Sequence, residues 1–120
     1  GSTMHHFRAA MAVPAAKDEF EGNVTAVFTH RCWDPLQTVV DVKKGEVQGE
    51  IKKLEKTGQK MTHAERQALF VEKMEEKCSP EEMEAFRGIS NQAYHYLGSA
   101  KILGCIGKEF ATAMTALINE

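Results

Sequence analysis

Apolar residues recur every three or four positions through most of this chain, which is the spacing of a helix that presents one face to a core. Between residues 17 and 32 the same positions also alternate like a strand, and Gly22 and the threonines weaken the helical pattern. We predict a helix over 17–32. Any strand in the chain would lie within residues 22–33.

The dipeptide Asp34-Pro35 predicts the start of a second helix, because Asp caps free N–H groups and proline suits the first helical position. Lys43 and Glu50 interrupt its apolar arc, which favours a middle that bends or projects, and Thr57-Gly58 predicts its end. The stripe of this helix comprises Leu36, Val40, Val47, Ile51 and Leu54.

Two capping boxes predict the next two helix starts. Thr62 precedes Glu65 by three positions, and Ser79 precedes Glu82 in the same way with a proline between them. The predicted third helix carries most of its apolar residues on one side, and Leu69 points away from that side.

The C-terminal part repeats apolar or small residues by threes and fours, as in a helix that keeps one seam against a partner helix. Gly98-Ser99 leaves two alternatives open, either two helices or one bent helix. A second apolar row indicates a helix covered on more than one side, and it comprises Leu103, Ile106, Phe110, Ala113 and Leu117.

These elements predict an all-α fold, a single-domain bundle of four or five helices with a central apolar C-terminal helix. The bundle would span residues 17–120, and residues 1–16 would form a flexible N-terminal tail. Gly1 and Ser2 are interpreted as the remnant of a cleaved expression tag.

Charge and cysteine content narrow the class of function. With 15 Lys and Arg against 17 Asp and Glu, the net charge of -2 gives no overall positive field for nucleic acid. Basic residues between 43 and 60 alternate with Glu, and no apolar run is long enough to span a bilayer. Three widely spaced cysteines favour a reducing compartment. We therefore expect a soluble, intracellular protein, cytoplasmic by default, with no nucleic-acid partner and no membrane insertion.

Catalytic, metal and cofactor motifs are not evident. The His and Cys residues lack the paired spacing of zinc sites, apart from His30 and Cys32. Cys32 or Cys105 with His95 could form a nucleophilic pair, although buried, inert thiols are the simpler interpretation. The stretch 104–108 lacks the spacing of a phosphate-binding loop. We predict no enzyme activity, no cofactor and no metal site.

A row of small residues marks the C-terminal helix, and two tyrosines, Tyr94 and Tyr96, flank His95. The row favours tight packing inside the monomer, with a self-association seam or a ligand groove near Gly104 and Gly107 as alternatives. The predicted function is helix-to-helix binding of another protein or of a second copy. The alternatives are a small-molecule-binding bundle and a small Cys/His enzyme. The candidate partner-binding residues are Leu69, Tyr94, Tyr96, Ala100, Gly104, Gly107 and Ala111.

Overall fold

The structure is a computed structural model that describes residues 3–119, and Gly1 and Ser2 of the predicted tag remnant lie outside them. These residues form helices and no strand, which confirms the all-α class. The number of helices in a bundle and the central place of the C-terminal helix stay predictions. The α-helices are α1 (Thr3–Ala12), α2 (Pro35–Lys56), α3 (His63–Lys77), α4 (Pro80–Arg87) and α5 (Ala100–Asn119). Shorter 3-10 helices cover Val13–Ala16, Asp18–Phe20, Thr29–Cys32 and Ala93–Gly98.

The chain divides into two compact units, which are described separately below. The middle unit contains residues 34–101, and the terminal unit contains residues 3–33 with 102–119. Residues 3–16, predicted as a flexible tail, are helical in the structure. Their flexibility and the predicted boundary at residue 17 stay predictions.

Local capping chemistry sets the ends of α2 as predicted. The Asp34 carboxylate accepts hydrogen bonds from the backbone N–H groups of Leu36, at 2.9 Å, and Gln37, at 3.4 Å. At the other end, Gly58 has a φ of +99°, a left-handed conformation that glycine adopts without a Cβ clash.

Both predicted capping boxes are present. The Thr62 N–H donates to the Glu65 carboxylate at 2.7 Å, and the Glu65 N–H donates back to the Thr62 hydroxyl at 3.2 Å. Ser79 and Glu82 repeat the same reciprocal pair at the start of α4. The helices between residues 35 and 87 therefore begin where the sequence predicts.

The core of the middle unit forms where α2 packs against α3 and α4. Val47 is fully buried, so the middle of α2 does not project from the body, and the alternative that it bends stays a prediction. Leu69 was expected to point away from the core, but it is half-buried and packs against it, whereas Val71 is 40% exposed. The buried cluster comprises Val40, Val47, Ile51 and Met74.

The two charged residues inside the apolar arc of α2 explain why its middle packs well. Lys43 donates to the Glu82 carboxylate on α4 at 2.6 Å. Glu50 pairs with Lys77 at 2.7 Å and Lys73 at 3.0 Å, both on α3. Hydrogen bonds from Lys77 first and Lys73 second lower the pKa of Glu50 to about 2. These side chains join the helices at the edge of the core instead of interrupting it.

The helix predicted over residues 17–32 is wrong. The segment contains two separate 3-10 turns, and residues 24–28 have no regular structure. Gly22 has a φ of +74°, which ends the first turn, and the β-branched threonines that follow have low helix propensity. The effect of these helix-breaking residues outweighs the helical spacing of the apolar residues.

The C-terminal run is two helices, as one of the two alternatives predicts. The break between α4 and α5 covers residues 88–99, and within it Tyr96 and Leu97 have positive φ values of 53° and 57°. The Leu97 carbonyl accepts from the N–H groups of Ser90 and Asn91 and closes a tight loop. The tyrosine pair therefore lies on a loop and a 3-10 turn, not on a helix face.

Candidate functional site

A disulfide joins Cys32 to Cys105, with their Cα atoms 5.7 Å apart. The interpretation of these two residues as buried free thiols is therefore wrong. Cys105 lies on α5 and Cys32 ends a 3-10 helix, so the bond ties α5 to the N-terminal segment of the terminal unit. Cys78 is a free, half-buried thiol, and burial raises its pKa.

One side of α5 is a continuous apolar surface that is open to solvent. Leu103 is 48% exposed, Phe110 54%, Met114 57% and Ile118 75%. At about 1.5 Å of rise per residue the surface is roughly 27 Å long. We call it the apolar band of α5. It consists of Ala100, Leu103, Gly104, Gly107, Phe110, Ala111, Met114 and Ile118.

The charged residues of α5 lie elsewhere on the helix. Lys101, Lys108 and Glu109 fall outside the band at about 100° of rotation per residue. The buried positions Ile102 and Ile106 lie on the adjoining side of the helix. The helix therefore has a buried face, a polar face and an exposed apolar face.

The small residues predicted to bind a partner belong to this open face. A Cβ atom added to Gly104 or Gly107 would meet no atom within 4 Å in the described structure. The same residues were expected to pack tightly inside the monomer, and the open space contradicts that expectation. Ala100 and Ala111 are exposed as well. Four of the seven candidate residues thus share one surface.

The other three candidates belong to the middle unit and are not members of the band. Leu69 supports the core of the middle unit. Tyr94 is 78% exposed and its ring lies 4.4 Å from that of His95, measured between centroids, while Tyr96 is 39% exposed. Leu69 lies on α3, whereas both tyrosines lie in the 3-10 segment Ala93–Gly98.

The described residues do not form the metal site or the Cys/His nucleophilic pair that the sequence left as alternatives. Among residues 3–119, no three His, Cys, Asp or Glu side chains come together as metal ligands. Cys32 and Cys105 bond to each other, and a disulfide sulfur lacks the thiolate that nucleophilic catalysis needs. The described helices include none whose length and apolar content would carry it across a bilayer.

Comparison with known proteins gives no indication of function, so the proposal below rests on the apolar band of α5. No protein-family model, curated protein or solved structure matches this chain.

Proposed function

We propose that the protein is a protein–protein interaction module that binds a helix of its partner, or of a second copy, through the apolar band of α5. The observation that carries the proposal is the absence of any charge among eight solvent-facing positions along this helix. Large exposed apolar surfaces of this kind are typical of binding sites.

The side chains of the band can supply the binding energy. Its four large residues retain about half or more of their exposed surface, so covering them would contribute roughly 3–6 kcal/mol before the entropic cost of association. Gly104 and Gly107 leave a depression along the middle of the band, where a second helix can approach closely. In such a complex α5 would be covered on two sides, which agrees with its two apolar rows.

The disulfide supports the same use of the helix. Cys105 is two residues before Gly107, so the bond leaves α5 about 200° around its axis from that glycine. The attachment therefore does not obstruct the band. A disulfide also favours an oxidising compartment over the cytoplasm expected from the odd cysteine count.

Charge placed on the band tests the proposal. Phe110→Glu puts a carboxylate midway along the length of the band, and Thr112→Glu puts one about 200° away on the polar face as the matched control. We expect Phe110→Glu to abolish recovery of the partner from source-cell lysate, or to shift the sedimentation of a self-associated form. Thr112→Glu should behave as the parent.

Circular dichroism of both variants separates lost binding from lost folding. Equal recovery of the same partner by folded Phe110→Glu and folded Thr112→Glu would contradict the proposal.

A further inference from the structure

A groove crosses the middle unit between α2, α3 and the end of α4 with the segment that follows it. Its volume is about 410 Å³, which lies in the range of small-molecule sites. Ile51 and Phe70 line it from α2 and α3, and Phe86 and Ile89 complete the apolar wall. The Phe70 and Phe86 rings lie 6.0 Å apart between centroids. The groove is therefore an apolar trough with an aromatic side.

Basic side chains line the edge of this trough. At one end Arg66 is held by Glu55, with the Arg66 Nε donating at 2.7 Å, so its charge is already balanced. Lys52 has no ion pair among the described residues. The edge of the groove therefore carries a lysine charge that no acidic side chain balances, although the net charge of the chain is -2.

Lys44 is the most informative of these cations. Its side chain is only 15% exposed, and it lines the groove. Its sole ion pair is with Asp41 at 3.8 Å, too long for a hydrogen bond, and its ammonium donates no hydrogen bond to any described residue. The ammonium itself reaches solvent, so its three N–H donors are available to a carboxylate that enters the groove.

We propose that the groove binds one carboxylate amphiphile, a fatty-acid-like molecule whose head group contacts Lys44 and whose tail lies against Ile51, Phe70 and Phe86. Lys52 adds a second positive charge at the edge of the groove. The groove and the apolar band of α5 share no residue, and the groove gives the protein a ligand in addition to a protein partner.

Calorimetric titration with dodecanoate, kept below its micelle concentration, tests the proposal. We expect saturable binding of one molecule per chain, and much weaker binding of dodecyltrimethylammonium, which has the same tail and the opposite charge. Lys44→Gln should weaken dodecanoate binding by roughly tenfold or more, because it removes a charged hydrogen bond. Lys44→Arg should retain most of the affinity.

Two controls locate the site. Lys56→Gln removes an exposed lysine of the same helix outside the groove, and it should bind dodecanoate like the parent. Phe110→Glu on α5 should also bind like the parent, since the apolar band is a different surface. Circular dichroism confirms that each variant is folded.

Three results would overturn the proposal. They are the absence of saturable binding to the parent, equal binding by folded Lys44→Gln, and loss of binding in Phe110→Glu. The last result would move the amphiphile to the band and leave the protein-binding function to be judged on its own experiment.

Discussion

Removing the disulfide should have a large effect on stability. The bond joins residues 73 positions apart, and it therefore restrains a long loop in the unfolded chain. The chain-entropy relation for a loop of this length gives a stabilisation of about 4 kcal/mol at 25 °C. For a chain of this size, that loss corresponds to a fall in melting temperature of roughly 10–20 °C. We expect Cys105→Ser to show this loss.

The assay compares urea unfolding of the parent, Cys105→Ser and Cys78→Ser. Cys78→Ser is the matched control, because it removes the one free thiol and keeps the bond. In the unfolded, unreduced parent, one thiol should react with a labelling reagent. Three reactive thiols, or a Cys105→Ser chain as stable as Cys78→Ser, would refute the reasoning.

Two further predictions concern the middle unit. The pKa of Glu50 falls from 4.5 to about 2 on folding, so its ion pairs stabilise the fold above pH 4.5, and that stabilisation is lost as the pH falls toward 2. Glu50→Gln should therefore lower the unfolding free energy at neutral pH and match the parent near pH 2. Glu72→Gln, at an exposed glutamate of α3 with no ion pair among residues 3–119, is the matched control and should leave the unfolding free energy at neutral pH unchanged. If the difference in unfolding free energy between Glu50→Gln and the parent were the same at pH 7 and pH 2, the assigned ion pairs would be contradicted. Met74→Ala should cost roughly 2–5 kcal/mol in urea unfolding because Met74 is fully buried, and Val71→Ala on the exposed side less than about 1 kcal/mol. Similar losses in both would contradict the assigned core.

Helix boundaries that depend on local chemistry could be predicted from the sequence. Asp34, Thr62 and Ser79 each cap a helix through N–H groups two or three residues away, so neighbouring residues suffice to identify them. The stripe of α2 was also predictable, since its apolar positions follow the helical period.

Features that depend on distant parts of the chain could not be predicted. Pairing of Cys32 with Cys105 requires the fold to bring together residues far apart in sequence, and no spacing rule indicates it. Lys43 and Glu50 resembled interruptions of an apolar arc because their partners lie on other helices. The groove beside Lys44 likewise exists only once three segments meet.

The candidate site was predicted in part. Periodicity placed Gly104, Gly107 and Ala111 on one side of a helix. It could not show whether that side faces the chain's own core or solvent, because both surroundings accept small residues equally well. The structure leaves the row open, and this difference changes what a substitution there should do.

Gly107→Leu provides the most direct test of the apolar band as a binding surface. In the isolated chain a new side chain meets open space and leucine favours helix over glycine, so the melting temperature should stay level or rise. Binding to the partner or second copy should weaken, because the added carbons overpack the closest point of a helix–helix contact by roughly 1–3 kcal/mol. Ala116→Leu, exposed and outside the band, serves as the control and should change neither quantity appreciably. Thermal unfolding and binding of the same two variants give both readouts. A Gly107→Leu chain that binds like the parent, or one that melts several degrees lower, would contradict the account.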